Sequence, residues 1–299
     1  MLIKPNIRIG TRGSELALWQ ANFVKNQLEK LNCSIEIKII KTQGDLVQDL
    51  SFDKLEGKGF FTKEIEEALL ANEIDLAVHS HKDLETTPPS GLMVAAVSER
   101  ENPADLLLIR ADAHETNNLW ELKENACIGT SSSRRKSQVL AFRPDLKLKD
   151  LRGNITTRIE KLRKGEYDAI LLAKAGVLRL RLDLSDLKEI NLSPKEFIPA
   201  PSQGVLGFQI RSSDSTLHTL LKKINNHKVE QEIKIERKVL QLMNGGCQLP
   251  LGVYCNGNFI YVSHSESANT AAQYYKFEYS KAANLAETIV AQLQQNQKA

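Results

Sequence analysis

The sequence predicts an α/β protein: two α/β domains followed by a smaller C-terminal α+β domain. Three observations predict it. Short apolar strands alternate with stretches of helical period from Ile7 to Leu172. That alternation is the signature of strands joined by helical crossovers, and it argues for largely parallel sheets. From about Val229 the order changes, with one helix followed by closely spaced strands. The length of 299 residues is enough for two or three separate cores.

The elements follow in chain order. Ile7 to Gly10 reads as a strand, and Ser14 caps a helix with the apolar stripe Ala17, Ala21, Val24, Leu28 and Leu31. Ile35, Ile37 and Ile39 alternate as in a strand. Thr62 is placed to cap a helix carrying Ile65, Ala68 and Leu69. Asp75 to Val78 and Leu92 to Val97 are short strands, as are Leu106 to Ile109 and Cys127 to Gly129. Ser132 or Ser133 caps a helix running toward Phe142. Asn154 precedes the helical stripe Ile155, Ile159 and Leu162, and Asp168 to Leu172 is a further strand. Pro199 to Gly204 is a break, followed by a strand from Val205 to Ile210. A helix from Val229 to Met243, strands near 251–255, 258–263 and 274–278, and a helix from about Lys281 to Gln297 complete the chain.

Composition is that of an ordinary soluble protein, 41% hydrophobic and 26% charged. No apolar run approaches the ~18 residues that cross a bilayer. The N-terminus carries no signal-peptide core, so a cytoplasmic protein with no membrane partner is expected. Cys33, Cys127, Cys247 and Cys255 form no Cys-x-x-Cys pair and read as reduced thiols. The net charge of +3 is unevenly placed. Between Gly129 and Lys164 eleven basic residues face three acids, a local excess of +8. That segment either meets something anionic or is a solvated basic face.

Four constellations could carry chemistry. Gly129-Thr130-Ser131-Ser132-Ser133-Arg134-Arg135 joins a strand to a helix start, where unpaired N–H groups, hydroxyls and paired guanidiniums suit a carboxylate or phosphate. Leu151-Arg152-Gly153-Asn154, with Arg158 one turn on, repeats the device, and Thr11-Arg12-Gly13-Ser14 offers it in the first domain. The alternative for each is a capped, solvated helix start. In successive βα units such starts lie beyond the strand carboxyl ends, where open α/β sheets bind ligands.

The second constellation is Val78-His79-Ser80-His81-Lys82-Asp83. Two histidines two apart raise a metal site, but no third ligand of matching geometry is evident, and none is expected. Asp83, beside Lys82, is the better candidate. An ionised carboxylate there would stabilise a cation on a substrate or carry a proton, unless it simply caps a helix or sits in a salt bridge. The third, Glu56-Gly57-Lys58-Gly59-Phe60-Phe61-Thr62, is either a mobile loop near a ligand or a surface turn. The fourth is Asn244-Gly245-Gly246-Cys247-Gln248, where the glycines let the backbone turn and present the thiol; otherwise Cys247 is a small buried residue. Basic residues with little aromatic interleaving disfavour a nucleic-acid partner. A non-catalytic anion-binding protein stays open on the residues alone.

Taken in order with Lys58 to Glu64, Asp168 to Gly176 and Pro199 to Gly204, these segments resemble the porphobilinogen deaminase family nearly end to end. The resemblance implies two domains like type II periplasmic binding proteins, residues 1–101 with 199–222 and residues 102–198, and a third, 223–299, bearing the cysteine loop. It implies a dipyrromethane cofactor joined to Cys247 by a thioether. The implied reaction links four porphobilinogens head to tail onto that primer, releases ammonia at each step, and frees the linear hydroxymethylbilane by hydrolysis. Asp83 is implied as the catalytic carboxylate. Lys58, Ser80, Lys82, Thr130, Ser132, Arg134 and Arg135 are implied to contact the cofactor. Arg12, Ser14, Arg152, Arg158 and Arg179 are implied to bind the substrate's acetate and propionate. A monomer is implied as well. Two positions depart from the family pattern: His81 stands where methionine is common, and Ser202 where glycine is frequent, which puts hinge flexibility there in question.

Overall fold

The computed structural model describes residues 5–42, 62–246, 248–280 and 282–295. The chain divides into two units, Met1–Glu101 with Gly204–Gln231, and Asn102–Gln203 with Glu232–Ala299.

The first unit is built on β1 (Asn6–Thr11), β2 (Ser34–Ile39), β3 (Leu76–Ser80), β4 (Leu92–Val97) and a later strand, Leu206–Arg211. Helix α1 (Glu15–Glu29) starts at Ser14, whose hydroxyl accepts the Ala17 N–H at 3.4 Å as expected. Helix α2 (Lys63–Leu70) follows Thr62, but that hydroxyl makes no cap bond. The α1 stripe of Ala21, Val24 and Leu28 packs on Ile7, Ile9, Val78 and Phe208. On the opposite face Ile65, Ala68 and Leu69 of α2 pack with Ile74, Ala77 and Leu92. Adjacent residues of β3 thus serve opposite cores, as the pleat requires.

The second unit repeats the plan. Its strands are β5 (Asp105–Arg110), β6 (Cys127–Gly129), β7 (Lys147–Lys149), β8 (Ala169–Ala173) and β9 (Leu187–Leu192). Leu106 and Leu108 of β5 enter one core, and Leu107 and Ile109 the other. Helices α3 (Ser133–Phe142), α4 (Ile155–Arg163) and α5 (Lys174–Leu180) belong to this unit.

With the late strand numbered β10, the two sheets run β2-β1-β3-β10-β4 and β7-β6-β8-β5-β9. The expectation of largely parallel sheets is corrected here. β1 pairs parallel with β2 and β3, and β6 with β7 and β8, but β10 and β5 are antiparallel to both of their neighbours. Each of these two is the first strand of its segment in the unit, so no βαβ crossover fixes its direction.

After α6 (Ser215–Leu221), helix α7 (His227–Leu242) leads to an antiparallel sheet of β11 (Leu251–Cys255), β12 (Phe259–His264) and β13 (Gln273–Glu278). Helix α8 (Leu285–Gln295) sends Ile289, Val290 and Leu293 into its core beside Val239, Val253 and Ile260. This is the smaller α+β region. It joins the rest of its unit through Val253 N–H to Pro199 carbonyl, 3.1 Å, and Ala272 N–H to Ser137 carbonyl, 2.9 Å. The buried Glu236 carboxylate accepts the N–H groups of Ser202 (2.6 Å) and Cys255 (2.8 Å). Among the described residues, no helix is long and apolar enough to cross a membrane.

Candidate active site

In the first unit the acidic candidate stands at the end of β3, which lies between β1 and β10. The strand stops at Ser80, and His81–Asp83 form one tight 3-10 turn. The His81 N–H donates to the Val205 carbonyl (2.9 Å) and the Leu84 N–H to the His81 carbonyl (3.3 Å), so the backbone bearing Asp83 is fixed at both ends. Asp83 is exposed and Lys82 half-buried, whereas His81 is buried. A Cβ on Gly207 would lie 2.9 Å from the His81 ring, so that glycine makes room for the imidazole.

His79 belongs to the core. Its Nε2 lies 3.1 Å from the Gln209 Oε1, and the Gln209 amide donates to the Glu66 Oε1 at 2.8 Å. The amide's donor is spent on a carboxylate, so His79 carries its proton on Nε2. Burial, with the Arg12 charge adding and the Gln209 bond opposing, holds the imidazole down to about 4. Burial also raises the Glu66 carboxyl. Ser80 accepts a hydrogen bond from the Gln20 amide, 2.8 Å, and Gln20 is itself buried on α1. Arg12 and Ser14 stand at the start of α1, on the loop leaving β1.

In the second unit, parallel β6 and β7 deliver both arginine-bearing helix starts to one sheet edge, as the sequence implies. They are tied directly: the Ser131 hydroxyl donates to the Leu151 carbonyl and accepts the Leu151 N–H, both at 3.0 Å. Thr130 is buried and its hydroxyl accepts the Ser132 N–H at 3.3 Å. The expected cap at α3 is corrected. Ser132 occupies the cap position without a side-chain cap bond, so the hydroxyl is not spent on its own helix. At α4 Asn154 does cap, taking the Thr157 N–H at 2.8 Å. Gly153 sits at φ +110°, a backbone only glycine adopts readily. Arg152 and Arg158 are half-buried, and the Arg158 Nε donates to the Gly153 carbonyl at 2.8 Å. Arg179 is buried on α5.

The basic run is less basic than it reads. Arg134 and Arg135 pair with Asp105, Lys136 with Asp150, Arg143 with Asp145, and Arg163 with Glu160 and Asp186. Five of the eleven cations are thereby paired with carboxylates within the unit, with Arg134 and Arg135 sharing the single charge of Asp105. Asp105 is fully buried; burial alone would raise its carboxyl, but the two guanidiniums outweigh that and hold it far below the carboxylate range.

Cys247 and Lys58 lie outside the described residues. Around Cys247, Asn244 takes the left-handed backbone (φ 52°), and the Leu249 N–H closes a turn on the Gly246 carbonyl at 3.1 Å. Gly245 is needed for space, since a Cβ there would lie 2.5 Å from Leu249 and 3.0 Å from Leu240; nothing crowds Gly246.

Sequence reasoning missed Gln20, Asp105, Gln203 and Gln209 as parts of the site's support. Gln20, Asp105 and Gln209 were signalled only by a polar residue within an otherwise apolar element, and Gln203 only by its place in the Pro199 to Gly204 segment.

A family model described as "Porphobilinogen deaminase, dipyromethane cofactor binding domain" matches residues 7–219. The chain belongs to the porphobilinogen deaminase family. A porphobilinogen deaminase of Nitratiruptor sp. is 46% identical over 248 residues, covering 83% of this chain and 77% of that one. One from Chloroherpeton thalassium is 43% identical over 267 residues, covering 88% and 83%. Among solved structures, the chain is similar to an ancestral arginine-binding protein bound to glutamine, with TM-score 0.42 and 16% identity over 77% of this chain and 92% of that one.

Proposed function

We propose that this chain is a hydroxymethylbilane synthase, a transferase that joins four porphobilinogens head to tail, releases ammonia at each addition and frees the linear tetrapyrrole by hydrolysis. Membership of the porphobilinogen deaminase family is the observation that carries this reading. The implied dipyrromethane fits the donors available. Apart from Asp83 and Cys247, every residue assigned to the site offers a cation or a hydroxyl, as a ligand bristling with carboxylates requires. Bound through Cys247, it supplies the pyrrole end to which porphobilinogen is joined.

The chain's own residues divide the work as follows. Asp83 faces the positive charge that develops on the substrate pyrrole as ammonia leaves, and takes up or returns the proton at its carboxylate. Ser80, held by Gln20, and Lys82 orient the bound ligand beside it. Lys58, Thr130, Ser132, Arg134 and Arg135 hold cofactor carboxylates. Arg12, Ser14, Arg152, Arg158 and Arg179 hold those of porphobilinogen and the growing chain. Lysine and arginine serve differently here: the guanidinium fork binds a carboxylate through two parallel hydrogen bonds. Residues 1–101 with 199–222, 102–198 and 223–299 act as three domains of a cytoplasmic monomer.

The test is intact mass spectrometry of the Asp83→Asn variant with porphobilinogen. Expected is a chain still carrying the dipyrromethane, with turnover reduced by at least about 10²-fold. Near-normal turnover in that variant rejects Asp83 as the charge-stabilising group. Absence of any porphobilinogen-dependent product from wild-type protein rejects the activity itself.

A further inference from the structure

Asp105 gathers more of the second unit's polar groups than any assigned role accounts for. It is the first residue of β5 and fully buried. Its Oδ2 accepts from Arg134 Nη1 at 2.7 Å. Its Oδ1 accepts from Arg135 Nη2 at 2.8 Å, from Arg135 Nε at 3.2 Å, and from the Gln203 amide at 2.9 Å. Further bonds finish the frame: Arg134 Nη1 to the Ile198 carbonyl (2.8 Å), Arg135 Nη1 to the Leu171 carbonyl (3.0 Å), and Gln203 to the Pro103 carbonyl (2.8 Å).

These bonds leave the two arginines in different situations. Arg134 is anchored through Nη1 alone, so its Nε and Nη2 edge, the edge that grips a carboxylate in parallel, is not used by any described residue. Arg135 spends that same edge on Asp105 and keeps only single hydrogens of its terminal nitrogens. We propose that Asp105 is the positioning residue of the site: it locks both guanidiniums so that Arg134 presents its bidentate edge to a ligand carboxylate, and Gln203 completes the lock. This rests on the reading of the site given above.

A lone structural counterion would need neither Gln203 nor the asymmetry. An unlocked arginine carries large rotamer entropy, which must be lost on binding, so the lock lowers the cost of each carboxylate contact. Its effect belongs to ligand affinity rather than to the chemical step.

The experiment compares wild type with Asp105→Asn and Gln203→Met. Asp105→Asn leaves two buried cations short of a partner and can fail to fold; Gln203→Met keeps the charges and volume while removing the amide that donates to Asp105 and to the Pro103 carbonyl. Two readouts are taken: the fraction of purified chains carrying the dipyrromethane, by intact mass, and KM against kcat for porphobilinogen. Expected for Gln203→Met is KM raised about fivefold, with kcat within about twofold, and a lower loaded fraction. Expected for folded Asp105→Asn is a larger fall in both loading and affinity. Unchanged KM and loading in Gln203→Met, with only a lower melting temperature, overturns the proposal and makes Asp105 a structural counterion. Wild-type protein that neither carries the group nor turns over porphobilinogen would instead reject the reading of the site.

Discussion

The buried histidine of the first unit makes a quantitative demand on acid stability. His79 is held down to about 4, against 6.5 for a free imidazole. Above pH 6.5 both folded and unfolded chains are neutral there, and the residue contributes no pH dependence. As pH falls through 6.5 the unfolded chain takes the proton and the folded chain refuses it, so stability is lost until about pH 4. Linkage over that window amounts to about 2.5 kcal/mol by pH 4.5. Other groups titrate there too. The raised Glu66 works in the opposite direction, and the lowered His264 in the same one. Asp75, held at about 2, begins to contribute only below its ordinary 3.8. Comparison with His79→Gln removes these shared contributions, because Gln still donates to Gln209. Urea titrations of both proteins at pH 7.5 and pH 4.5 give the difference of differences. The wild type should lose about 2.5 kcal/mol more than the variant. Equal losses, within about 0.5 kcal/mol, refute a neutral buried imidazole at this position.

Ser202 is fully buried at φ 64°, and its hydroxyl has no partner among the described residues. Ser202→Gly relieves a left-handed backbone worth about 1–2 kcal/mol and removes an orphaned hydroxyl, against about 0.5–1 kcal/mol of added chain entropy. The variant should melt about 2 °C or more higher by calorimetry, and a lower melting temperature contradicts that ledger. Gln20→Leu takes the only described donor from the Ser80 hydroxyl while improving the apolar α1 stripe. It should hold stability within about 1 kcal/mol yet raise KM for porphobilinogen several-fold; unchanged kinetics would show that Ser80 needs no positioning. Gly153→Ala forces a Cβ to within 2.8 Å of Thr157 at a φ closed to alanine. A loss of about 1–3 kcal/mol is expected in denaturant titrations.

Much of this was legible because periodicity and caps are local. The α1 stripe, the Ser14 cap, the helix after Asn154 and the strand at Leu106 to Ile109 follow from residues a few positions apart, whereas the split of β5 between two cores does not show in its unbroken apolar run. Strand direction was not legible: nothing in Val205 to Ile210 says that β10 arrives from another unit and runs antiparallel. Short β7, with the sequence Lys-Leu-Lys, has no pattern to read, and its place comes from pairing with β6. The basic run misled for the same reason. Asp105 lies 29 residues before Arg134, and only the sheet brings them together. Buried amides such as Gln20, Gln203 and Gln209 acquire meaning only with their distant partners.

The central claim is a primer held by sulfur at position 247. Intact mass of freshly purified wild-type and Cys247→Ser proteins, denatured before measurement, tests it directly. The account predicts a wild-type chain heavier than its sequence by two linked pyrrole units, and a Cys247→Ser chain at its sequence mass. A wild-type chain at its bare sequence mass that still makes the linear tetrapyrrole would contradict it.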